Sequence, residues 1–146
     1  MLYFIQAWHK QHFDFIKYSL KYEGLTDNEL FTDTSERIFW LCINKSKNTI
    51  YGFFGISLKE SIYPVLEYFW IKQDERKKIN NTLLKMIRFL KQFLLDNYIN
   101  HIIFDVKHSD KFQYLSKFVR CMTKTSPYKI TKNNSYFLIG VKDIKI

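Results

Sequence analysis

YPVLEYFWIKQDERKKINNTLLKMIRFLKQFLLDNY, residues 63–98, sets a strand pattern directly before a helix pattern. Pro64 lacks an N–H, which suits the first position of a strand. The seven residues after it, 65–71, are apolar on nearly every position, and Glu67 is their one charge, the pattern of a central strand covered on both faces. Beyond Lys72 the apolar period changes from 2 to 3.6. Ile79, Leu83, Met86, Ile87, Leu90, Phe93, Leu94 and Tyr98 form one stripe, with Lys85, Arg88 and Lys91 mostly off it. This predicts a helix over about residues 75–98 whose stripe packs on the sheet that holds the strand.

Upstream of that unit, residues 2–8 alternate weakly and read as a strand. Residues 9–22 read as a helix with Phe13, Ile16 and Leu20 at helical spacing and Gly24 as its stop. Thr26 followed three residues later by Glu29 is a capping-box signature for a second, short helix. Residues 38–43 and 50–58 are apolar runs joined by Asn44-Lys45-Ser46-Lys47-Asn48, which predicts an antiparallel hairpin. Downstream, residues 101–106 read as a strand and 110–120 as a helix. Residues 128–131 and 136–141 form a closing hairpin around Lys132-Asn133-Asn134. With no internal repeat or linker, the order predicts one α/β domain over residues 1–146, a mixed and mostly antiparallel sheet with helices on both faces.

Composition agrees with a single folded domain. Hydrophobic residues are 47% of the chain and aromatic residues 18%, enough apolar surface to offset the entropy of ordering it. No apolar run approaches the roughly 20 residues that span a bilayer, so no membrane segment is expected and an intracellular setting is. Cys42 and Cys121 stand alone and suggest neither a disulfide nor a thiolate metal site. The formal charge of +9 fits a basic protein that meets nucleic acid, a phosphate-bearing ligand or an acidic protein surface, and does not choose among them. Gly-Lys-Ser/Thr phosphate loops, His-Glu-x-x-His and Gly-x-Ser-x-Gly are all absent from the sequence. His9 and His12 lie three apart near Asp14, but no third metal ligand is identifiable and no metal site is expected. Asp105 and His108 at a strand end form a thin proton-transfer candidate. Phe53, Phe54, Tyr68, Phe69 and Trp70 read as core rather than as a base-stacking platform.

The order of elements resembles that of the GNAT acetyltransferases, and the likeness sharpens between residues 65 and 120. Residues 65–71 look like that family's fourth strand, Leu83-Leu84 like the paired leucines of its third helix, and Tyr114-Leu115 like part of the helix after its fifth strand. Trp70, Arg76-Lys77-Lys78 and the stretch Tyr114-Leu115-Ser116-Lys117 are further similar to small GNAT-like internal virion proteins of short-tailed bacteriophages. The resemblance implies a site of known chemistry. An acyl-CoA pyrophosphate would rest on backbone N–H groups at the start of the third helix, a Glu on the fourth strand would act as general base, and a Tyr would protonate the leaving thiolate. Carried over, Glu67 and Tyr114 become the catalytic candidates, and Phe69, Ile71, Arg76, Lys77, Lys78 and Asn80 the cofactor-binding ones.

The departures from the family pattern fall on the same machinery. With Leu83-Leu84 as anchor, the three loop glycines become Arg76, Lys78 and Asn80, so side chains stand where a phosphate would approach bare backbone. Leu115 takes the place of the family's Tyr and Tyr114 lies one residue early, a turn of about 100° around a helix. Val119 stands where a Gly usually closes that helix. The expectation is a GNAT-fold protein with a degenerate acyl-CoA loop and no resident cofactor. It would act as a phage virion component or protein-binding module, with phage structural proteins as expected partners and the virion as its place if the narrower resemblance holds. The alternative is an N-acetyltransferase using acetyl-CoA.

Overall fold

The computed structural model describes residues 1–26, 30–31, 36–58, 62–76, 82–105, 126–131 and 134–144. β1 (Leu2–Gln6) leads into α1 (Lys10–Tyr22), followed by β2 (Arg37–Asn44), β3 (Thr49–Ser57) and β4 (Val65–Ile71). The short α2 (Gln73–Arg76) and the long α3 (Thr82–Asp96) precede β5 (His101–Asp105) and the hairpin of β6 (Ser126–Thr131) and β7 (Asn134–Gly140). The seven strands form one sheet in the order β1-β2-β3-β4-β5-β7-β6. Every neighbouring pair is antiparallel except β4 and β5, which run parallel. This is the mixed, mostly antiparallel sheet that the sequence pattern predicts.

Strand alternation sorts the side chains between two helices. On one face Phe13 of α1 meets Phe39, and Phe15 meets Phe53 and Trp70 in edge-to-face contacts. On the other face Phe89 of α3 stacks on Phe4 with ring centres 4.1 Å apart and also meets Trp40 and Phe54. Phe53, Phe54, Tyr68, Phe69 and Trp70 are all buried, so this aromatic cluster is core. Two glycines make the close packing possible. A Cβ on Gly52 would sit 2.6 Å from Met86 Sδ and 2.8 Å from the Trp70 carbonyl oxygen, and one on Gly55 would sit 2.4 Å from the Phe39 ring.

Helix ends follow from local chemistry. α1 closes on Gly24 at φ 94, with the Gly24 N–H on the Lys21 carbonyl and the Leu25 N–H on the Leu20 carbonyl. The same paired bonds close α3, where Tyr98 and Ile99 donate to the Leu95 and Leu94 carbonyls. Tyr98 takes the left-handed place there, at φ 58. The sequence reading carried the helix and its apolar stripe through Tyr98. The helix instead ends at Asp96, the chain reverses its hand, and Tyr98 is 93% exposed. At the other end, α2 and α3 bracket residues 77–81, which lie outside the described residues, as do the expected helices near residue 29 and over 110–120.

Candidate functional site

β4 is the strand on which the sheet changes character. Opposite it, Gly55 pairs with Tyr68 and the next residue, Ile56, pairs with Leu66, so Glu67 is an extra residue bulged between two rungs. On the other side, pairing with β5 is confined to Val65 with Ile103 and Leu66 with Phe104. From Glu67 to Ile71, the β5 side of β4 has no strand partner among the described residues. β5 itself is described only to Asp105, one residue beyond Phe104, and the Ile71 carbonyl at the far end of β4 accepts from Arg76.

Glu67 stands one residue beyond the last described β4–β5 pair, and its carboxylate is engaged. Arg37, the first residue of β2, reaches across to donate its Nε–H to Glu67 Oε2 at 2.9 Å. Both side chains keep about a fifth of their surface, 19% and 22%. The ion pair fixes the direction of the carboxylate, so Glu67 is held toward Arg37 on the α1 side of the sheet.

The second candidate, Arg76, is the last residue of α2, just beyond the C-terminal end of β4. Its Nε–H donates to the Ile71 carbonyl at 2.7 Å, and its Nη2 is paired with Glu23 Oε1. The same Glu23 oxygen accepts from Trp70 Nε1 at 3.3 Å. Glu23 is the last residue before the Gly24 reversal of α1, so this contact ties the end of α1 to the end of β4. The Arg76 guanidinium is therefore turned back onto the chain's own carboxylate and carbonyl. Phe69 and Ile71, the strand's two cofactor candidates, are 1% and 0% exposed, with their side chains in the core. Lys77, Lys78, Asn80, Tyr114 and His108 lie outside the described residues, and so does Cys121.

Sequence reasoning missed Glu23 and Arg37. Each looks like an ordinary charge at an element boundary, and nothing in the spacing links it to a residue 53 or 30 positions away. The histidines find a different use from metal ligation. His9 is the N-cap of α1 and its Nδ1 accepts from the Gln11 N–H at 3.1 Å, while His12 Nδ1 accepts from the N–H groups of Trp8 and His9, both at 3.3 Å. This is a capping box built from two imidazoles. Burial first, and then the neighbouring His9 charge, lowers the His12 pKa below its ordinary value. Among the described residues no three His, Cys, Asp or Glu side chains gather to hold a metal. Cys42 is buried, and burial pushes its thiol up to about 12, with Lys85 acting in the opposite sense. No helix among the described residues is long and apolar enough to cross a membrane.

No protein-family profile and no curated protein matches the chain in sequence. Solved structures do match. A GNAT-family acetyltransferase from Staphylococcus aureus Mu50 superposes with a TM-score of 0.67 at 15% identity, over 95% of this chain and 99% of that one. An IAA acetyltransferase from Bacillus cereus gives 0.64 at 9% identity, over 95% and 97% of the two chains. A GNAT-family acetyltransferase from Elizabethkingia anophelis, solved with acetyl-CoA bound, gives 0.63 at 9% identity, over 94% and 95%. At such identities the likeness is one of backbone architecture, and by that measure this chain has the fold of the GNAT acetyltransferases.

Proposed function

We propose that this chain is a GNAT-fold protein that has given up acyl-CoA chemistry and works as a protein-binding module. The observation that carries the reading is Arg76. A pyrophosphate site at a helix start needs bare backbone N–H groups and a turn without Cβ atoms. Here the first of the three glycine positions holds an arginine whose guanidinium is already engaged with Glu23 and the Ile71 carbonyl. Glu67 supports the same reading, because its carboxylate is already engaged by Arg37, and a general base needs that oxygen for the proton it takes. The narrower resemblance to internal virion proteins of short-tailed phages supports a structural protein of a phage particle as the partner, and the charge of +9 favours an acidic surface on it.

The test is isothermal titration of the purified chain with acetyl-CoA and CoA, at enough salt to screen non-specific attraction to a basic protein. The expected result is no saturable heat. Saturable binding in the micromolar range would overturn the proposal.

One observation favours the acetyltransferase reading, namely that among the described residues the pairing of β4 with β5 stops at Leu66, one residue before Glu67. On that reading Glu67→Gln abolishes turnover while the thermal transition stays in place. Turnover that survives the change would remove Glu67 from the mechanism.

A further inference from the structure

The rim of the sheet carries a strand edge that nothing among the described residues covers. β1 is the first strand in the sheet order, so only β2 pairs with it. The direction of its backbone groups follows from two bonds. The Ala7 N–H donates to the Phe39 carbonyl, and the Met1 carbonyl accepts from the Lys45 N–H. Groups of odd-numbered residues therefore point at β2, and by the alternation of an antiparallel ladder those of Leu2, Phe4 and Gln6 point outward.

Natural edge strands are usually guarded by a charge, a proline or a bulge. The sequence Leu2-Tyr3-Phe4-Ile5-Gln6 has no charge and no proline, and its register with β2 is unbroken. Exposed apolar surface also concentrates here: Met1 is 84% exposed, Tyr3 38% and Trp8 75%.

We propose that β1 is a self-association edge, on which a second copy of this chain adds its own β1 antiparallel about a two-fold axis at Phe4. This register sets Phe4 against its counterpart, Leu2 against Gln6 and Tyr3 against Ile5. The outward groups at positions 2, 4 and 6 then satisfy one another reciprocally, as an isologous interface requires. Met1 comes opposite Ala7 and beside Trp8, which covers the most exposed apolar side chains of the rim. The Phe4 pair extends the Phe4–Phe89 stack across the axis. A strand that is apolar on both faces and uncharged fits a partner of the same kind, and β1 itself is one. Five residues span about 17 Å, so the contact is small and its dissociation constant is expected in the micromolar range or weaker. Because both copies carry a charge of +9, salt should strengthen the association by screening repulsion, the opposite of what a polyanion ligand would show.

Analytical ultracentrifugation of the purified chain at about 100 µM, where a micromolar dimer is nearly saturated, is the first measurement. A dimer that grows with salt is expected, and a monomer at that concentration overturns the proposal, as it would if the edge served a segment of another protein. The register is read by mixing Leu2→Cys and Gln6→Cys proteins, each with Cys121→Ser, under mild oxidation. Cross-links should form between the two variants and not within Leu2→Cys alone. A dimer without the mixed cross-link also overturns it. Gln6→Pro deletes one outward N–H while sparing every bond to β2. With an unchanged thermal transition, dimerisation should weaken by about tenfold or more, and undiminished association in that variant counts against the edge.

Discussion

The middle of the sheet at β3–β4 and its rim at β1–α1 treat their polar groups in opposite ways. At β4 the two charged candidates have both acquired internal partners, Arg37 for Glu67 and Glu23 for Arg76, and Trp70 shares the second. Glycines at 52 and 55 let α3 and the Phe39 ring close directly on the strands. At the rim, three outward backbone pairs of β1 have no strand beside them among the described residues, Trp8 is 75% exposed, and α1 starts on two imidazoles. At β4 the described charges meet partners within the chain, whereas at the rim the outward groups of β1 meet none among the described residues.

The largest effect expected from that closure is on Cys42. Its thiol is pushed from an ordinary 9.0 to about 12, which leaves about a thousandfold less thiolate at neutral pH. In a Cys121→Ser protein, alkylation at pH 8 should be slow in the native state and fast in denaturant. Rapid native labelling would mean that α3 does not seal this face. Next is Gly52→Ala, which drives a Cβ into Met86 Sδ and the Trp70 carbonyl and should cost roughly 1–3 kcal/mol by urea denaturation. At the rim, Gly24→Ala meets no atom within 4 Å, and its cost of about 1–2 kcal/mol should come from backbone hand alone. Equal losses with different denaturant slopes would blur the contrast between crowding and strain. Smaller again is the coupling between Glu23 and Arg76. A double-mutant cycle to Ala should return roughly 0.5–2 kcal/mol of interaction, and a value near zero would mean that the carboxylate does not hold the guanidinium.

The same contrast explains what could be read from the chain. β4 was legible to the residue, because a proline at its start and a run apolar at every position but Glu67 point to a covered strand over residues 65–71. α3 was legible in its body and misread at its end. Its stripe includes Tyr98, but residue type gives no warning that a tyrosine, rather than a glycine, will take the left-handed turn. Arg76 and Glu67 could be singled out from the chain. Their partners could not, since Glu23 and Arg37 meet them only after the sheet has assembled β2 beside β3 and α1 across it. His9 and His12 were legible as a pair with a spacing, and spacing alone does not distinguish two ligands from two caps.

Those two caps give the finest expected effect, and its sign can be worked out. His12 Nδ1 accepts two backbone N–H groups, a role open only to the neutral ring. Its pKa in the folded chain lies below the ordinary 6.5, from burial and then from His9, so near pH 6 the unfolded chain binds more protons than the folded one. Stability therefore rises with pH across that window. The cap's contribution is whole above about 6.5 and falls away as pH drops through that value toward the lowered folded one. Because the ring is largely in solvent, the change should show locally and not as a shift of the whole unfolding transition. Amide exchange at Trp8 and His9, measured at about pH 7.5 and pH 5 and corrected for intrinsic rates, should reveal lost protection at the lower pH. His12→Gln keeps an acceptor at the third helical position and removes the titration, so its protection should stay level between the two. Equal protection of the native chain at both pH values would show that the start of α1 is held by something other than the imidazole pair.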